Sequence, residues 1–109
     1  MGFSEKKDKN LIEIKARLIK RFNPLRILLF GSRSQDKHRP TSDYDIVLVV
    51  KKRKGSLVEN MLVAADLVED LNVSVDVFVY SEKTFDEWKN ELSSIPETAL
   101  SSGVELSLG

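Results

Sequence analysis

Apolar residues recur at Leu11, Ile14, Leu18 and Phe22, with lysine and glutamate between them. That spacing predicts an amphipathic helix, stopped at Asn23-Pro24 because proline lacks the donor a continuing helix needs. Leu25-Arg26-Ile27-Leu28-Leu29-Phe30 then reads as a short buried strand ended by Gly31. Residues 32–42 are polar, contain Pro40 and carry no hydrophobic period, which predicts loop or a helical turn. Residues 43–50 form a second predicted strand. Its end, Ile46-Val47-Leu48-Val49-Val50, is apolar at both parities, as in an interior strand.

Lys51-Lys52-Arg53-Lys54-Gly55 reads as a solvated turn, in preference to a nucleic-acid contact. Ser56 and Glu59 have the spacing of a capping box and open a helix with Leu57, Met61, Ala64, Val68 and Leu71 on one stripe. Residues 73–80 are rich in β-branched and aromatic side chains and predict a third strand. Thr84 and Glu87 repeat the capping-box spacing ahead of a short helix, in which Phe85 and Trp88 are expected to be core. Residues 96–102, closed by Gly103, predict a last helical turn or two. The predicted order is α-β-β-α-β-α-α, with no repeats or linkers. The expected class is therefore α/β (α+β), a small mixed sheet flanked by helices in a single domain over residues 1–109.

Composition narrows the chemistry. Seventeen Lys and Arg balance 17 Asp and Glu, so no global basic excess favours a polyanion, and direct nucleic-acid binding is not expected. The absence of cysteine excludes disulfides, thiol catalysis and cysteine-based zinc sites. One histidine, His38, lies among polar loop residues and leaves carboxylates as the main candidate metal ligands. Residues 1–10 hold no apolar segment of the signal-peptide kind, and the longest apolar runs are too short for a bilayer; a cytoplasmic protein is expected.

The candidate chemistry lies at the strand ends. Gly31-Ser32 terminates the first strand, Asp43 and Asp45 begin the second, and Asp76 sits inside the third. Residues two apart on a strand share a face, so Asp43 and Asp45 point one way and Tyr44 the other. By the same alternation Ser74, Asp76, Phe78 and Tyr80 share a face. An aspartate inside an apolar strand is expensive unless something compensates it. If the second and third strands are neighbours, three carboxylates converge, and a hard divalent ion such as Mg²⁺ relieves their repulsion. Glycine beside them lets backbone N–H groups approach a polyphosphate.

Gly31-Ser32, ten intervening residues, then Asp43-Tyr44-Asp45, with Asp76 on a later strand, resembles the signature of minimal nucleotidyltransferases of the polymerase-β superfamily, called MNT domains. The resemblance covers most of the chain. It implies transfer of AMP from ATP to an acceptor hydroxyl, with Asp43, Asp45 and Asp76 as catalytic residues holding Mg²⁺, two ions in the family, and with Gly31, Ser32 and Arg33 at the phosphates. Small proteins of this kind pair as antitoxins with HEPN-domain toxins, and some adenylylate a tyrosine of that toxin. A chain without a second substrate-binding domain fits an acceptor carried on a partner. One departure stands out: where many members read Gly-Ser-Arg-Ala-Arg-Gly, this chain reads Gly31-Ser32-Arg33-Ser34-Gln35-Asp36. Asp36 brings negative charge toward the phosphates, with Arg33, Lys37 and Arg39 as compensating cations. The departure favours an alternative, a non-catalytic antitoxin of the same fold that neutralises its partner by covering it. The intact Asp43, Asp45 and Asp76 favour the enzyme.

Overall fold

The computed structural model describes residues 5–31 and 43–109. The expectations for Ser32 and Arg33, and for Gln35, Asp36, Lys37, His38 and Arg39, fall outside those residues.

Helix α1 runs Lys9–Phe22. Asp8 caps it by accepting the Leu11 N–H at 3.0 Å, and Asn23 ends it in the left-handed conformation with its N–H on Ile19 O. The buried stripe is Leu11, Ile14 and Leu18. Strands β1 (Arg26–Phe30) and β2 (Tyr44–Val50) pair antiparallel, with Ile27 opposite Leu48 and Phe30 opposite Asp45. Helix α2 (Leu57–Leu67) opens with the expected capping box: Glu59 N–H donates to Ser56 Oγ at 3.0 Å, and Ser56 N–H to Glu59 Oε1 at 2.8 Å. Strand β3 (Val75–Ser81) lies parallel to β2, the hand-over α2 makes possible by crossing one face of the sheet. Helices α3 (Glu82–Trp88) and α4 (Ile95–Ser102) follow, and β4 (Val104–Leu106) returns to pair antiparallel with β1. The sheet order is β3-β2-β1-β4, a small mixed sheet flanked by helices, as the sequence predicts.

Two apolar layers sandwich this sheet. On one face Leu11, Ile14, Leu18, Ala64 and Val68 of the α1–α2 side meet Ile27, Leu29, Ile46, Leu48, Val77 and Val79. On the other, Leu28, Val47 and Val49 meet Phe85 of α3 and Ala99 of α4. β2 is therefore covered on both faces, which is why its end shows no polar alternation.

Four expectations change. Helix α2 ends at Leu67, and Leu71 of its predicted stripe falls in a short 3-10 turn over Glu69–Leu71. Ser81, not Thr84, caps α3: its Oγ accepts the Thr84 N–H, so the helix starts earlier than the Thr84–Glu87 spacing implied. Trp88 is half exposed, because α3 is short and its core contact is made by Phe85. β4 extends the sheet beyond the predicted order. Its entry is Gly103, where a Cβ would lie 2.7 Å from Leu29 O, so only glycine admits this approach of α4's end to β1. No described helix is long and apolar enough to cross a membrane.

Candidate functional site

The site forms where β1 ends and β2 and β3 begin. Register places Phe30, Asp45 and Asp76 in one row across three strands, Phe30 opposite Asp45 and Asp45 opposite Asp76. The next row inward on the same face is Leu28, Val47 and Phe78. Asp45 and Asp76 thus stand side by side at the sheet's edge with an apolar floor behind them. The rings of Phe30 and Phe78 meet at 6.1 Å between centroids and wall that floor.

This placement has an electrostatic consequence. Burial raises the Asp45 carboxyl above its ordinary value, and the negative charges of Asp76 and then Asp43 raise it further. The like charges show that all three aspartates share one field. Asp43 is exposed, just ahead of β2. Among the described residues no three acidic or imidazole side chains are grouped to hold a metal ion. The fold assembles a close pair, Asp45 with Asp76, and an outlying third, Asp43.

Two features fix the pair. Gly31 has φ +75°, a conformation side-chain-bearing residues rarely adopt, and a Cβ there would lie 2.5 Å from Asp45 Oδ2. The positive φ favours glycine here, and a side chain at this position would push the Asp45 carboxylate aside. Tyr44 points to the opposite face, as alternation predicts, and is buried. Its hydroxyl donates to the Asp8 carboxylate at 2.8 Å, which ties the start of β2 to the N-cap of α1. The Tyr44 N–H also donates to Ser74 O at 2.9 Å, joining the starts of β2 and β3.

The donor set can be tested against a dication. Asp45 and Asp76 offer only oxygen donors, and the Asp45 carboxyl is raised first by burial and then by the charges of Asp76 and Asp43. Mg²⁺ is commonly held by one or two carboxylates, with water and phosphate oxygens completing the shell, so the pair fits such an ion. Of the six predicted site residues, Gly31, Asp43, Asp45 and Asp76 are brought to one end of the sheet; Ser32 and Arg33 lie outside the described residues. Sequence reasoning placed Phe78 on the face of Asp76 but gave it no role, and it missed Phe30 and Asp8 as parts of the site. Asp8 reaches Tyr44 from a different element and leaves no local signal.

No curated protein matches this chain. Residues 12–97 match the family described as polymerase beta, nucleotidyltransferase. That match runs from α1 into α4 and contains the whole acidic row. The chain belongs to the polymerase beta nucleotidyltransferase family.

Proposed function

We propose that this protein is an MNT-type nucleotidyltransferase that transfers AMP from ATP to a hydroxyl, a tyrosine of a HEPN-type toxin, and so acts as its antitoxin. The observation that carries the reading is the pairing of Asp45 with Asp76 across parallel strands in a family of nucleotidyltransferases. Asp45 and Asp76 would hold Mg²⁺, with Asp43 contributing negative charge at the rim. Bound there, Mg²⁺ would supply the charge that neutralises and orients the triphosphate. Gly31 keeps the carboxylate of Asp45 unobstructed and lets the backbone approach the phosphates. Leu28, Val47 and Phe78 keep water from the base of the pair. In the reaction the acceptor oxygen bonds to the α-phosphorus, the α–β phosphoanhydride bond breaks, pyrophosphate leaves, and the hydroxyl's proton passes to solvent water beside Asp76.

A second reading is a non-catalytic antitoxin that works by covering its partner. The observation favouring it is the exposed apolar pair Val58 and Leu62, one helical turn apart on α2 and each more than 60% exposed. One experiment separates the two. The protein is incubated with the product of the neighbouring reading frame, Mg²⁺ and α-labelled ATP. Label that passes to the partner, and is lost with Asp45→Asn, supports the enzyme. Neutralisation of the partner by wild type with no label transferred overturns it in favour of the binder.

A further inference from the structure

At the opposite end of β2 from Asp45 the structure has a cavity of about 260 Å³. Its floor is the buried Val50 and Val79, and four cations line it: Arg21 from the end of α1, and Lys52, Arg53 and Lys54 from the turn after β2. Among the described residues no carboxylate lines the cavity. Among the described residues none of the four cations forms an ion pair.

Residues 51–55 are exposed, as the reading of a solvated turn expects, yet the turn is held in place by hydrogen bonds. Arg53 donates through Nε to Gly55 O at 3.1 Å and through Nη1 to Val79 O at 3.2 Å, which locks its guanidinium between turn and strand. Asn60 Nδ2 donates to Lys54 O and Ser56 O, both at 2.8 Å, and holds the turn to α2. Arg21 lies over the Phe22 ring at 5.5 Å. Four like charges around one small cavity repel one another unless an anion joins them.

We propose that this cavity is a phosphate-binding site, separate from the acidic pair, which takes a phosphorylated small molecule or the phosphodiester of a nucleic-acid strand. Phosphate is the matching chemistry. It brings more charge and more acceptor oxygens than a single carboxylate, and a fixed guanidinium grips it through paired N–H donors. Val50 lies five positions beyond Asp45 along β2, about 17 Å at strand rise, farther than the phosphates of one nucleotide reach. The cavity therefore takes a different phosphate from any held at the acidic pair.

The test is a titration of the full chain in metal-free buffer at low ionic strength, where the acidic pair has no divalent ion. The probes are inorganic pyrophosphate and, separately, a fluorescent single-stranded oligoribonucleotide. Wild type is expected to bind at least one probe. Lys52→Glu with Lys54→Glu should weaken that binding tenfold or more, Arg21→Glu should act in the same direction, and Asp45→Asn should retain it. Pyrophosphate binding assigns the site to small phosphorylated molecules, and binding of the strand alone assigns it to nucleic acid. The double Lys→Gln variant, checked by circular dichroism, supplies the same comparison if charge reversal disturbs the fold. The proposal is overturned if neither probe binds, if binding survives both double variants in folded protein, or if an oligoglutamate peptide binds where both phosphate probes fail.

Discussion

The hydroxyl of Tyr44 donates to the carboxylate of Asp8 at 2.8 Å, joining the residue between Asp43 and Asp45 to the N-cap of α1. Asp8 thus serves two elements at once, since the same carboxylate accepts the Leu11 N–H. Tyr44→Phe removes a charge-assisted hydrogen bond without opening a cavity. It is expected to lower stability by about 1–2 kcal/mol. Urea denaturation should show a lower midpoint with an unchanged slope.

Gly31→Ala is expected to damage the site more than the fold. The positive φ penalises alanine by about 1–2 kcal/mol, and its Cβ would displace the Asp45 carboxylate. Mg²⁺-dependent ATP binding should fall tenfold or more while the circular dichroism spectrum stays that of a folded protein. Normal ATP binding by this variant would mean the carboxylate need not sit where Gly31 leaves room for it.

The apolar layer beneath α1 and α2, on the face opposite the acidic pair, sets the stability. Leu48 is fully buried on the central strand, between β1 and β3 and beneath α1 and α2. Leu48→Ala should cost about 2–5 kcal/mol, enough to leave a domain of this size marginal. Thermal denaturation reads the change directly.

Acid should destabilise the protein through surface carboxylates held by partners. Arg26 lowers the Glu105 carboxyl, Arg17 lowers that of Asp70, and the Ser56 cap lowers that of Glu59. Each folded-state value lies below its ordinary one, 4.5 for glutamate and 3.8 for aspartate. Their contribution is therefore complete above those ordinary values and is lost as pH falls through the lowered ones. Melting temperature should hold near neutrality and drop below about pH 4. Glu105→Gln should flatten part of that drop, and added salt should shrink the effect because these pairs are exposed.

Much of this was legible from the sequence, for identifiable reasons. The stripe Leu11, Ile14, Leu18 and the Ser56–Glu59 cap are local signals, and both form as read. Asp76 drew notice because it interrupts an apolar strand, and its alternation with Val75 and Val77 fixed its face. Its pairing with Asp45 depended on strand adjacency, which periodicity leaves open. β4 escaped because three residues with two apolar positions look like loop until β1 offers an edge. The cap of α3 was misplaced because Ser81 and Thr84 are equivalent in type, and only the strand's end decides between them. The cavity beside Arg53 was out of reach, since Arg21 and the turn of residues 51–55 meet only in the folded chain.

The acidic pair should also weigh against the protein that holds it. Asp45 is raised by burial and by its neighbours, so its ionised form is disfavoured in the metal-free fold. Asp45→Asn should leave metal-free stability unchanged or higher, the pattern of a residue kept for function. A clear loss of stability would instead mark Asp45 as structural.

The most direct test of the central claim is calorimetric titration of ATP into wild type, Asp45→Asn and Asp76→Asn, each with and without Mg²⁺. The account predicts Mg²⁺-dependent binding by wild type and its loss, tenfold or more, in both variants while they remain folded. Mg²⁺-independent binding belongs to the cationic cavity. No Mg²⁺-dependent component of binding in wild type, or such a component that survives both substitutions, would contradict the account.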